Sequence, residues 1–163
     1  MKQQRRASSP PPRENAIENR QKAVRVELRS LEEFLGNVLS HLRLANGGVG
    51  VRLIDDREML RLNRTYRKKP KTTDVLSFPA EKLSTPRSLP ARLRLLHEKY
   101  LGDIAISPVV ARRNASGLRR TLSDELRILI LHGVLHLLGY DHESDRGQMD
   151  RIENRLRREL GLA

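Results

Sequence analysis

The sequence predicts an α/β (α+β) fold: a small mixed sheet of about four strands with helices packed on it, built round one central buried helix. Three observations predict it. Short strands and amphipathic helices alternate through the first two thirds of the chain, and helices dominate the last third. The stretch from Leu126 to Leu138 is apolar nearly all round, as a helix enclosed by other elements must be. A length of 163 residues suits one domain with one core.

Residues 1–20 are polar and basic, with Pro10, Pro11 and Pro12 in a row, and read as a flexible tail before a single domain over 21–163. Val24, Val26 and Leu28 alternate with polar residues, which predicts a half-buried strand. Ser30 with Glu33 has the spacing of a capping box. Leu31, Phe34, Leu35, Val38, Leu39 and Leu42 follow at helical spacing up to a stop at Asn46-Gly47-Gly48. Val49, Val51 and Leu53 predict a second strand. Asp55 opens a helix to about Arg67, with Met59, Leu62 and Tyr66 on one face and Arg57, Arg61, Arg64 and Lys68 on the other. A loop over Lys68 to Thr73 leads to a strand from Asp74 to Phe78, closed by Pro79. Residues 80–100 read as a variable insertion, with Pro90 to Tyr100 a candidate short helix. Ile104 and Ile106 predict a fourth strand, Pro108 starts a helix over Val109 to Ser116, and Gly117 stops it. The buried helix runs from Ser123 to Leu138 and stops at Gly139; a last, charged helix covers Ser144 to Leu160.

Composition narrows the function. The chain carries 32 Lys+Arg against 20 Asp+Glu, a net charge of +12, so its surface attracts polyanions: nucleic acid first, an anionic membrane second. With no cysteine, disulfides, thiolate zinc sites, iron–sulfur clusters and thiol nucleophiles are excluded, and any metal falls to His and carboxylates. No apolar stretch approaches the roughly 20 residues that span a bilayer. The basic N-terminus lacks the apolar region of a secretory signal, so a soluble, cytoplasmic protein is expected.

The chemistry concentrates in His132-Gly-Val-Leu-His136-Leu-Leu-Gly139-Tyr140-Asp141-His142, which holds three of the chain's five histidines. His132 and His136 are four apart and project from one helix face, and Gly139 lets the chain reverse and bring His142 back to them. Three imidazoles around one ion leave an open fourth position, the arrangement of catalytic zinc sites. A lone His on an apolar helix is usually a satisfied core residue; three at this spacing are not explained that way. His41 and His97 are expected to be ordinary residues. The spacing H-x3-H-x5-H is that of the metzincin proteases, but Gly133 stands where they carry the general-base Glu.

The same string, H-G-x-L-H-L-x-G-Y-D-H, resembles the signature of the YbeY-type endoribonucleases, bacterial rRNA maturation factors. Two further blocks agree in order: Asn63-Arg64-Thr65-Tyr66-Arg67 with Thr73-Asp74-Val75-Leu76-Ser77-Phe78-Pro79, and Leu101-Gly102-Asp103-Ile104. The resemblance covers roughly Ala23 to Leu160; the Pro-rich tail and residues 80–100 depart from it. It implies a single-strand-specific, metal-dependent endoribonuclease acting in small-subunit rRNA 3′-end maturation and ribosome quality control. Its partners would be rRNA and ribosomal particles, with no DNA and no membrane. It carries one zinc ion, or another divalent metal, onto His132, His136 and His142, and the family's functional arginine onto Arg67.

On that reading the zinc acidifies a water or polarises a phosphoryl oxygen, and Arg67 clamps the scissile phosphate with its planar fork. Asp141 or Asp103 is a candidate to orient a ligand imidazole, and Arg57, Arg61, Arg64 and Lys68 to guide the RNA backbone. Residues 57–71 carry seven positive charges and one negative, half the chain's net charge. The C-terminal region, five Arg against six acids over 141–163, is expected to face away. Phe78 and Tyr140 are the candidate stacking aromatics, and weak sequence preference is expected. Two rival classes stand beside this one: a metallopeptidase with a non-standard base, and a ribosome-assembly factor whose zinc is structural. A fourth protein ligand from Asp141 or Glu143 would favour the latter.

Overall fold

A computed structural model describes residues 15–44, 47–80 and 100–162. Four strands form one mixed sheet in the order β1-β2-β4-β3: β1 (Asn15–Asn19), β2 (Gly48–Leu53), β4 (Tyr100–Ile106) and β3 (Val75–Pro79). β1 and β4 run parallel to β2, and β3 runs antiparallel to β4. Five helices are described: α1 (Leu28–His41), α2 (Asp56–Arg67), α3 (Pro108–Gly117), α4 (Leu122–Leu137) and α5 (Gln148–Glu159). The predicted fold class holds.

The first strand is a correction. It lies at Asn15–Asn19, inside the stretch read as tail, and pairs with β2 in the register Ile17↔Val51. Val24, Val26 and Leu28 are not a strand. The Gln21 side chain accepts from the Val24 N–H at 2.9 Å and donates to the Val24 carbonyl at 2.7 Å. Both groups a ladder would need are therefore used locally. β1 escapes a pattern reading because Ile17, buried and set between Ala16 and Glu18, is its one large apolar residue. Ser30 is also not a cap. The N-cap of α1 is Glu27, without a side-chain bond, and the Ser30 hydroxyl instead accepts from Arg127 of α4 at 2.7 Å. Helix α1 ends at His41 rather than near residue 46: Arg43 turns to φ +58° and the Leu44 N–H closes onto the Leu39 carbonyl at 2.7 Å. The candidate helix at Pro90 to Tyr100 lies outside the described residues except Tyr100, which opens β4. His97 lies outside them as well.

Other boundaries follow their chemistry. Asp55 caps α2 by accepting from the Glu58 N–H at 2.8 Å. Ser107 caps α3 ahead of Pro108, and Thr121 caps α4 by accepting from the Asp124 N–H at 3.1 Å. The last helix is shorter than predicted, because Asp145 uses its carboxylate on the N–H groups of Gly147, Gln148 and Met149.

The sheet has two covered faces. Ile17, Val49, Val51, Leu53, Ile104 and Ile106 pack with α1, α4 and α5 in the main core. Ile54, Leu76 and Ala105 pack under Met59 of α2 in a smaller one. Helix α4 is central, with Leu126, Ile130, Leu131 and Leu135 fully buried. Each such side chain contributes about 1.5–3 kcal/mol by leaving water. Its approach to β4 is set by Gly133: a Cβ there would lie 2.8 to 3.1 Å from three carbons of Ile104. The helix bearing the histidines is thereby pressed against β4 and β3.

Candidate metal centre and its cleft

Helix α4 carries His132 and His136 on one side at its C-terminal end. Gly139, at φ +94°, takes the left-handed turn that ends the helix, and the Tyr140 N–H closes onto the Leu135 carbonyl at 3.2 Å. The reversal returns His142. One nitrogen from each of His132, His136 and His142 lies within 4.8 Å of the other two. His132 Nε2 and His136 Nε2 are 3.1 Å apart. Two imidazoles on a tetrahedral ion at about 2.05 Å would hold their nitrogens about 3.3 Å apart. The donor set therefore fits a single divalent cation. Among the described residues no fourth His, Asp or Glu joins this group.

A carboxylate fixes the ring of His132. Its Nδ1 donates to Glu153 Oε2 of α5 at 2.8 Å, leaving Nε2 with a lone pair facing the other imidazoles. Glu153 is 8% exposed and also accepts a hydrogen bond from Arg157. Burial pushes its carboxyl up, but the His132 bond and the charges of His132 and Arg157 outweigh this, and it sits below the usual carboxylate range. Burial also pushes the His136 imidazole down, reinforced by its two histidine neighbours. That favours the neutral form, which is the form that binds metals.

Of the two acids expected to orient a ligand, neither bonds a histidine. Asp141 accepts from the Glu143 N–H and the Ser144 hydroxyl, both at 3.0 Å, which holds its carboxyl below the ordinary value. Asp103 accepts from the Tyr100 hydroxyl at 2.6 Å. Glu153 fills the role, and the charge count over 141–163 hid it. The signal was available: Glu153 falls between Met149 and Leu156 on the buried side of an otherwise charged helix. That helix does not face away from the site.

The histidines open into a cleft of about 1170 Å³, with Arg67, at the end of α2, on its wall. Of the predicted guiding stripe, only Arg61 lines the cleft; Arg57, Arg64 and Lys68 are exposed outside it. Lys69 and Lys71 line it instead. They are brought there by Lys68, whose φ of +54° ends α2, and by Asn63, whose amide donates to the Lys71 carbonyl at 2.6 Å. Asn63 is 1% exposed, so the motif's Asn is a fastener for the basic loop. No acidic group of the described residues lies within 4.0 Å of the charged ends of Arg67, Lys69 or Lys71, whereas Arg20 and Arg61 reach Glu58 at 3.9 Å. Within the cleft, the cations without an acidic partner among the described residues are thus Arg67, Lys69 and Lys71. Ser77 of β3 lines the cleft and donates to the Gly133 carbonyl at 3.2 Å, tying β3 to α4. Tyr140 packs against the main core. Tyr66, read as part of the apolar face of α2, is 65% exposed and lines the cleft with Phe78.

Sheet, central helix and histidine group together define a class: a small α/β protein with three imidazoles of metal-ligating geometry opening into a cleft with free cations. The comparisons say which member of that class. The family described as Endoribonuclease YbeY matches residues 16–161. The chain is 43% identical over 134 residues to the Endoribonuclease YbeY of Koribacter versatilis, covering 80% of this chain and 78% of that protein. It is 40% identical over 136 residues to the Endoribonuclease YbeY of Aquifex aeolicus, covering 83% of each. Among solved structures it is similar to the solution structure of TM1509 from Thermotoga maritima, with a TM-score of 0.59 and 28% identity over 90% of this chain and 88% of that one. This chain belongs to the endoribonuclease YbeY family.

Proposed function

We propose that the protein is a zinc-dependent endoribonuclease that cuts single-stranded RNA. Its setting would be the cytoplasm, in small-subunit rRNA 3′-end maturation and ribosome quality control, with rRNA and ribosomal particles as partners. The observation that carries the reading is a three-histidine group that, among the described residues, has no fourth protein ligand and shares one cleft with Arg67, which has no acidic partner among them.

His132, His136 and His142 would hold one divalent ion, which would supply Lewis acidity for a phosphoryl oxygen or a water. Zinc suits three imidazoles and one open position. The chain's own residues do the rest. Arg67 engages two oxygens of the scissile phosphate with its fork and offsets the charge that builds on them. Lys69 and Lys71 hold the neighbouring backbone, and such phosphate contacts carry no sequence information, so weak base preference is expected. Glu153 keeps the His132 ring in its ligating orientation. A peptidase of the zincin type needs an acid at position 133, and the 2.8 Å approach to Ile104 excludes one in this packing.

The test is the purified chain on a short single-stranded RNA, beside Arg67→Ala and His136→Ala. Each variant is expected to lose about 100-fold or more in rate, as loss of a transition-state contact does. Full-rate cleavage by both variants would overturn the assignment, and binding of ribosomal particles without cleavage by the wild type would support the assembly-factor reading.

A further inference from the structure

We propose that Tyr66 is a stacking platform for an unpaired RNA base beside the phosphate held by Arg67, an inference that rests on the ribonuclease reading. Helix α2 puts Tyr66 in line with Met59 and Leu62. Met59 is fully buried, yet Tyr66 is the most exposed large hydrophobic side chain described, at 65%. An aromatic ring left in water forgoes a large burial gain. The exposed ring is nonetheless supported on one side. The Phe78 ring of β3 meets Tyr66 edge to face, with centroids 5.0 Å apart and planes at 73°. A ring braced in that way has little rotamer freedom left to lose on binding. Its hydroxyl has no hydrogen-bond partner among the described residues, whereas that of Tyr100 is bound to Asp103.

The surroundings specify the ligand. Tyr66 lines the same cleft as Arg67, Lys69 and Lys71, the cleft's cations without acidic partners among the described residues. A flat apolar surface next to free cations matches a ligand that is a π system on one side and an anion on the other. An unpaired nucleotide has both, and every base has a face to stack, so such a platform tolerates sequence. A base in a duplex offers no free face. This makes Tyr66 a contributor to single-strand preference.

The full chain, with metal removed by a chelator so that nothing is cut, is titrated against a fluorescent single-stranded RNA and against oligomers with one abasic position moved along the strand. Tyr66→Ala should weaken binding about 5- to 150-fold, the range that stacking of one base carries. Tyr66→Phe should stay close to wild type. One abasic position should weaken wild-type binding similarly and cost Tyr66→Ala nothing more. The inference is overturned if Tyr66→Ala binds as tightly as wild type while Arg67→Ala does not, or if Tyr66→Phe loses as much as Tyr66→Ala. Absence of RNA binding by the wild type would overturn the ribonuclease reading itself.

Discussion

His132 can present Nε2 to a cation because Glu153 takes the hydrogen on Nδ1, 2.8 Å away. Loss of that acceptor frees the ring to rotate and lowers its basicity, and such partners typically account for 10- to 100-fold in metal affinity. Glu153→Ala is therefore expected to weaken zinc binding by about 10- to 100-fold in competition with a chromophoric chelator, and Glu153→Gln, which still accepts through its amide oxygen, by less. Unchanged affinity in Glu153→Ala would remove Glu153 from the site. The three histidines were legible in the sequence because their spacing is local: one helix turn, then a glycine reversal. The buried position of Glu153 was legible from its helix period, but its bond to His132 was not, because that contact crosses 21 positions to a different helix. Tyr66 misled for a related reason: periodicity names the face of a helix but not where the covering sheet ends.

Gly133 sets how closely α4 lies on β4. Alanine is the better helix former by about 1 kcal/mol, but its Cβ would sit 2.9 Å from the stiff, β-branched Cγ2 of a fully buried Ile104. Overpacking of that kind costs about 1–3 kcal/mol. Gly133→Ala should thus lower the denaturant midpoint, and Gly133→Ala with Ile104→Ala should be less destabilised than the two single losses summed. A more stable Gly133→Ala protein would contradict the close packing. At the start of α2, Asp55→Ala removes the bond to the Glu58 N–H and should cost about 1 kcal/mol in the same measurement. Elements with a full apolar period, β2, α2 and α4, were legible. β1 was missed because its partner in β2 supplies the backbone pairing, which leaves no trace in side-chain alternation, and Val24, Val26 and Leu28, buried or half-buried after the Gln21 turn, imitated the alternation of a strand.

For the molecule as a whole, the net charge of +12 acts through a few free groups. Single-strand affinity should fall with salt at a logarithmic slope of about −0.7 for each phosphate neutralised. Three cleft cations predict a slope of about −2, and Arg67→Ala should make it shallower by about 0.7. A salt-independent affinity would place binding elsewhere. Of the predicted guiding stripe only Arg61 lines the cleft, because a helical wheel shows which residues share a face without showing what that face borders. On the proposed function, RNA cleavage requires an ion at His132, His136 and His142. The most direct test of that requirement is metal content measured alongside cleavage of one single-stranded RNA, before chelation, after it, and after zinc is restored. One ion per chain is expected, with loss of both metal and cleavage on chelation and return of both together in the wild type but not in His136→Ala. Undiminished cleavage by the metal-free chain would contradict the requirement.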